Sequence, residues 1–157
     1  MFIYDEDGRI VIEPVPELGQ LHGIHAHDGE RGHERVGTLL ERVAAGDVAG
    51  YLAEANASEV HYLVARFEGT ADDRPTTASL RTADRDIRTL ARNGLTLARG
   101  DWRATGESKA DGNISLADAA AVALASEHDA TLVVRADDGF DSLPVAVDIE
   151  RFRTEGI

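Results

Sequence analysis

The sequence predicts an α/β protein in which helices flank a mostly parallel central sheet. Short apolar runs that suit strands alternate with longer segments whose apolar residues recur at helical spacing. This alternation is typical of βαβ units, which build parallel sheets. Glycine, asparagine and aspartate separate the segments, as turns require. A chain of 157 residues is long enough for one compact domain, and we expect an N-terminal appendage beside it.

The N-terminal residues 1–30 are predicted to form a tail outside the main domain, which spans residues 31–157. Residues 2–4 and 9–13 flank a turn sequence that ends in Gly8, so they predict a β-hairpin. Two prolines follow the second strand and end it. The stretch after them mixes histidine with glycine, has no clear period and predicts a loop.

Two helices and a strand are predicted in the first half of the main domain. In residues 33–45 the apolar side chains recur at every third or fourth position, which is the spacing of one helix face. Residues 50–54 predict a short strand. Asn56 opens a second helix over residues 56–67. The side chains expected to form its buried face are Val60, Leu63, Val64 and Phe67.

The second half of the main domain continues the same alternation. Residues 76–93 have an amphipathic pattern, and an Asn-Gly pair closes this helix. The elements predicted after it are a strand over residues 95–98, a helix over 101–109, a helix over 116–128, and strands over 131–134 and 144–149. We expect these strands to join the same sheet.

The composition restricts the chemistry that the chain can support. No cysteine is present, which excludes disulfides, zinc-thiolate sites and thiol nucleophiles. The histidines lack the spacing of a metalloprotease motif, so they are expected on the surface. No apolar run is long enough to cross a bilayer, and we therefore expect a cytoplasmic protein without membrane contact.

The formal net charge of −13 arises from 29 acidic and 16 basic residues, and Lys109 is the only lysine. An acidic surface of this kind suits a halophilic cytoplasm, where it keeps a protein soluble. In dilute salt such a surface repels the backbone of a nucleic acid. In molar salt the Debye length falls to about 3 Å, so the charge does not exclude a nucleic-acid partner.

Three acidic residues, Glu59, Asp118 and Asp137, each lie near the predicted carboxyl end of a strand or in the first turn of a helix. In an open α/β sheet these positions converge on one crevice. Carboxylate oxygens are the ligands that Mg²⁺ prefers, so the three residues predict a divalent-metal site. Asp138 is a neighbouring alternative to Asp137. A metal-dependent hydrolase needs no cofactor beyond this cation.

Local roles also explain the same three residues. Glu59 lies three positions after Asn56, and Asp118 lies three positions after Ser115, so each pair fits a helix capping box. Asp137 fits a turn that follows an apolar strand. The residue patterns leave both interpretations open.

Around these acidic residues the chain resembles the PIN-domain ribonucleases, and in particular the VapC-like toxins of type II toxin–antitoxin systems. The resemblance covers residues 32–153 and is most specific in residues 114–141. It implies a three-layer PIN-like fold and hydrolysis of RNA phosphodiester bonds with Mg²⁺ or Mn²⁺. It also implies that Glu59, Asp118 and Asp137 are catalytic metal ligands. The implied partners are an RNA substrate, a cognate antitoxin and a second copy of the chain in a homodimer.

The first acidic position of that family is missing from its expected place. Residues 32–36, Gly-His-Glu-Arg-Val, resemble the family segment that follows the first strand and its aspartate, yet no aspartate precedes them at the family's distance. Asp5 and Glu13 are the two available substitutes, and Glu13 follows the better strand. If that strand takes the central place in the sheet, Glu13 is expected to arrive near the metal.

Residues 1–28 resemble the distal end of AbrB-like antitoxins, which suggests a fusion across a gene junction. Such a fusion is expected to weaken a nuclease through loss of its first acidic residue. The alternative function is a catalytically inactive PIN remnant that acts as a protein-binding or dimerisation module. Divalent-metal binding favours the nuclease, whereas dimerisation without metal binding favours the module.

Overall fold

The computed structural model of the protein describes residues 9–12, 30–134, 138–143 and 145–151. Within these ranges, side chains are described except at residues 9–12, 30–35, 138 and 142. The predicted features that lie outside the described residues are the strand over 2–4, the histidine-rich loop, and the acidic residues Asp5, Glu13 and Asp137.

Five parallel strands form one sheet in the described part of the chain. They are β1 (Arg9–Ile12), β2 (Ala49–Ala53), β3 (Thr96–Ala98), β4 (Thr131–Val134) and β5 (Ile149–Arg151). Their order across the sheet is β3-β2-β1-β4-β5. Ile10 of β1 pairs with Gly50 of β2 on one side and with Thr131 of β4 on the other. The prediction of an α/β fold with a mostly parallel sheet is confirmed.

Helices lie between the strands along the chain. They are α1 (Glu30–Ala45), α2 (Glu54–Phe67), α3 (Thr77–Arg92), α4 (Trp102–Asp111) and α5 (Leu116–Glu127), and a 3₁₀ helix spans Asp138–Ser142. The sequence predicted all five α-helices to within a few residues of their ends. No helix within the described residues combines the length and the apolar composition needed to cross a membrane.

The alternation of side chains along β4 divides the core into two parts. Val133 packs with apolar residues of α1, α2 and α3, whereas Leu132 and Val134 pack with α5 and with Phe140 of the 3₁₀ helix. Successive side chains of a strand point to opposite faces of a sheet. The sheet is therefore the middle of three layers, with α1 to α3 on one face and α5 on the other.

Helix α5 is deeply buried because its small side chains allow close packing. Residues 118 to 125 of this helix are all buried, and most of them are alanine. The turn before α4 also approaches α5 closely, since a Cβ atom added to Gly100 would lie 2.9 Å from the backbone oxygen of Ala120. Close packing of this kind fixes the position of α5 against the sheet.

The structure corrects the predictions for the last strand, for the burial of Phe67 and for the start of α2. The last strand is Ile149–Arg151 and not residues 144–149. Phe67 was expected in the core, but it is 62% exposed because the buried face of α2 ends at Ala65. Helix α2 begins at Glu54 and not at Asn56, because β2 passes into the helix without an intervening turn.

Strand β1 takes the central place in the sheet, which was the alternative considered for it, and does not form the predicted hairpin. Both of its edges pair in parallel, one with β2 and the other with β4. The turn sequence around Gly8 is a local signal, and it cannot reveal pairing with strands that are distant in sequence. This segment of the predicted tail therefore belongs to the sheet, while the domain boundary at residue 30 stays a prediction.

Candidate metal centre

Two of the predicted site residues, Glu59 and Asp118, lie at the carboxyl edge of the sheet. β2 leads directly into α2, so the start of α2 lies at the carboxyl end of β2. α5 runs back toward the start of β4, which places the start of α5 at the same edge. Glu59 lies in the second turn of α2 and Asp118 in the first turn of α5. The carboxyl edge is where open α/β sheets bind their ligands.

The carboxyl groups of Glu59 and Asp118 are close enough to influence one another. Helices α2 and α5 are in contact. Burial raises the pKa of the half-buried Glu59 carboxyl group, and the negative charge of Asp118 raises that pKa further. A positive charge beside Glu59 would favour its ionised form. The pair therefore has the electrostatic character of a cation site.

A capping box fixes the orientation of the Asp118 carboxylate. Ser115 is the N-cap of α5, and its Oγ accepts a 3.0 Å hydrogen bond from the backbone N–H of Asp118. In return, Oδ2 of Asp118 accepts a 3.1 Å bond from the backbone N–H of Ser115 and a 2.6 Å bond from the Ser115 hydroxyl. The capping prediction is confirmed for this pair. The box uses Oδ2 alone, so Oδ1 remains outside it and is suited to bind a cation.

The capping interpretation is wrong for Glu59. The N-cap of α2 is Ala53, and Asn56 lies inside the helix. Asn56 is fully buried, and neither its Oδ1 nor its Nδ2 has a hydrogen-bond partner within the described residues. The sequence analysis did not identify Asn56 as a site residue, because its three-residue spacing from Glu59 was attributed to a capping box.

The remaining candidates adjoin two neighbouring strands. Glu13 follows β1, while Asp137 and Asp138 follow β4, and these two strands pair with each other. The side chains of these three residues lie outside the described part of the chain, so their role as metal ligands stays a prediction. Within the described residues, no group of three or more histidine, aspartate or glutamate side chains gathers so as to hold a metal ion.

The two described carboxylates suit a hard divalent cation. Mg²⁺ and Mn²⁺ prefer oxygen ligands, and Mg²⁺ is usually held by one or two protein carboxylates, with waters and phosphate oxygens completing its coordination. Glu59 and Asp118 meet this requirement from separate helices. The donor chemistry at the edge of the sheet therefore fits Mg²⁺ or Mn²⁺.

A carboxylate pair at the carboxyl edge of a three-layer parallel α/β domain defines a candidate divalent-cation site. The family model described as PIN domain matches residues 23–146. The chain belongs to the PIN-domain family, whose members are in general metal-dependent nucleases. The family indicated by the sequence resemblance is confirmed.

A solved structure has the same fold. A chain of the structure described as FitAB bound to an IR36 DNA fragment matches with a TM-score of 0.57 and 18% sequence identity, over 94% of this chain and 98% of that chain. At this level of identity the similarity establishes the fold alone. No curated protein matches the chain in sequence.

Proposed function

We propose that the chain is a cytoplasmic, Mg²⁺- or Mn²⁺-dependent endoribonuclease of the VapC-like toxin type. The observation that carries this proposal is the position of Glu59 beside Asp118, on two helices at the carboxyl edge of a PIN-domain sheet. Glu59 and Asp118 would hold the divalent cation, which would supply an activated water and neutralise charge on the scissile phosphate.

Each side chain of the pair has a separate part in this proposal. Asp118 would hold the cation, and its Oδ1 is the oxygen that the capping box with Ser115 leaves unused. Glu59 supplies a second carboxylate from α2 and becomes ionised as positive charge enters the site. The further proposed ligands are Asp137, with Asp138 as its alternative, and Glu13.

RNA is the proposed substrate, and the acidity of the chain sets the conditions in which it binds. With a net charge of −13, the surface repels a phosphate backbone in dilute salt. In molar salt that repulsion is screened beyond about 3 Å, while the cation site still attracts the scissile phosphate at contact distance. We therefore expect cleavage to increase from dilute to molar KCl.

The test is cleavage of a mixed pool of structured RNA with Mn²⁺ in molar KCl, alongside a single-stranded DNA pool. The native protein is compared with Asp118→Asn and with Asp72→Asn, a control at an exposed aspartate in the loop between α2 and α3. We expect the native protein and the control to cleave RNA, and Asp118→Asn to be inactive. Folded proteins that are all inactive would overturn the nuclease proposal, and cleavage of DNA alone would overturn the choice of substrate.

A protein-binding module is the second candidate function, and exposed apolar side chains favour it. Tyr62 and Phe67 of α2 and Leu80 of α3 are large apolar residues on the surface of two helices that pack together. Exposed apolar surface often marks a site for a partner protein. The proposed partners are a cognate antitoxin and a second copy of the chain. Light scattering of the native protein and of Phe67→Ser measures whether the chain forms a dimer. A dimer formed through this surface should dissociate in the variant.

A further inference from the structure

Asn56 has a buried amide with no hydrogen-bond partner among the described residues. Its side chain is fully buried, and both Oδ1 and Nδ2 lack a partner. A buried amide without partners destabilises a fold, and such groups in native proteins call for an explanation such as a bound water, an ion or a functional role. The burial of the Asn56 amide without partners therefore requires an explanation.

Neither packing nor helix capping explains the buried amide of Asn56. The other buried residues on this side of α2 are small or apolar, and they include Ala57 and Val60. An apolar side chain of similar volume would fill the same space without an unsatisfied amide. The N-cap position belongs to Ala53, so Asn56 does not satisfy the end of the helix either.

Its place in the fold relates Asn56 to the carboxylate pair. It is the third residue of α2, near the carboxyl end of β2. Glu59 lies three residues later, and side chains at this spacing are neighbours on a helix surface. The unsatisfied amide thus lies about one helical turn before Glu59, the partly buried residue whose pKa the charge of Asp118 raises.

We infer that Asn56 is a positioning residue of the carboxylate site, a role that rests on the proposed metal-dependent function: its Nδ2 donates a hydrogen bond to the Glu59 carboxylate when a cation is bound, and so holds that carboxylate toward Asp118.

The experiment measures Mn²⁺ binding by calorimetry together with thermal unfolding of the metal-free protein. Asn56→Leu removes the amide and keeps the volume. The control is Asp86→Asn, because Asp86 on α3 is also buried and its Oδ1 also lacks a hydrogen bond. We expect Asn56→Leu to weaken Mn²⁺ affinity by about 10- to 100-fold, as substitutions beside metal ligands do. The same variant should unfold at or above the native midpoint, and the control should keep the native affinity.

A second pair of variants separates the loss of the hydrogen-bond donor from any effect of leucine on packing. Asn56→Ser keeps a hydroxyl donor and Asn56→Ala keeps none, so the serine variant should bind Mn²⁺ more tightly. Native affinity in Asn56→Leu, or equal affinity in the serine and alanine variants, would overturn the role of Asn56 and leave the metal site intact. A large fall in the metal-free midpoint of Asn56→Leu would assign the amide a structural role. A native protein that binds no Mn²⁺ would overturn the metal site and this inference together.

Discussion

The negative charge of Asp118 on α5 raises the pKa of Glu59 on α2, in addition to the rise that burial causes. Two helices that are distant in sequence thus bring like charges together at the carboxyl edge of the sheet. Holding like charges together costs free energy, and a bound cation offsets that cost. Substitution of Asp118 should therefore change the titration of Glu59, and substitution of either carboxylate should change the affinity for metal.

Asp118→Asn should lower the pKa of Glu59 in the metal-free protein. The substitution removes the charge that disfavours ionisation of Glu59, while the burial of Glu59 remains. The pKa should move toward the ordinary value of 4.5 without reaching it. Carbon-13 NMR of the glutamate carboxyl carbons measures the shift. An unchanged pKa would mean that the two groups do not interact.

Glu59 should make the metal-free protein less stable as the pH rises. Its folded-state pKa lies above the ordinary value. At pH values between the unfolded-state and folded-state pKa values, the folded state therefore binds more protons than the unfolded state. Its contribution to stability is complete below the unfolded-state pKa and is lost as the pH rises through the folded-state pKa. As the pH rises through these two pKa values, the stability of Glu59→Gln should increase relative to that of the native protein. Urea unfolding at several pH values tests this, and parallel pH profiles for the two proteins would contradict it.

Ser115→Ala should weaken metal binding as well as the helix cap. Thr76→Ala is a matched control, because Thr76 caps α3 through a capping box with Ser79 and its Oγ1 accepts a 3.1 Å bond from the Ser79 N–H. Each substitution should cost about 0.5–2 kcal/mol of stability.

Of these two capping residues only Ser115 orients a carboxylate of the site, so of the two variants only Ser115→Ala should reduce Mn²⁺ affinity, by about tenfold or more. Calorimetric titration of both variants measures the difference. Equal affinities in Ser115→Ala and Thr76→Ala would show that the capping box does not orient Asp118 for metal binding.

Ala121→Leu should destabilise the protein by about 1–3 kcal/mol, because a larger side chain does not fit between α5 and its neighbours. Ala121 is fully buried in that helix. Ala110→Leu, at an exposed position of α4, provides the comparison and should have little effect. Chemical denaturation measures both, and similar stabilities in the two variants would argue against the close packing that positions Asp118.

The fold was largely predictable because periodic patterns mark its helices and apolar runs mark its strands. Helix α1 and strand β4 followed directly from these patterns. The central place of β1 was harder to predict, because its partners β2 and β4 come much later in the chain and a turn signal ends at Gly8, directly before the strand. Phe67 had helical spacing suited to burial, yet spacing alone cannot show that the buried face ends before the last turn.

The site was predictable only in part. The rule that ligand sites lie at the carboxyl edge of a sheet placed Glu59 and Asp118 at one edge, and the Ser115 box was visible in the spacing of its residues. Asn56 was not predicted as a site residue, because Asn-x-x-Glu is also a capping pattern. Its burial depends on where α2 begins, and β2 sets that position by leading straight into the helix.

Mn²⁺ binding measured by calorimetry in molar KCl tests the central claim that Glu59 and Asp118 share a divalent cation. The native protein and Asp72→Asn should bind the cation with equal affinity, while Glu59→Gln and Asp118→Asn should each lose most of that affinity without unfolding. Native affinity in both carboxylate variants, or no binding by the native protein, would contradict the claim.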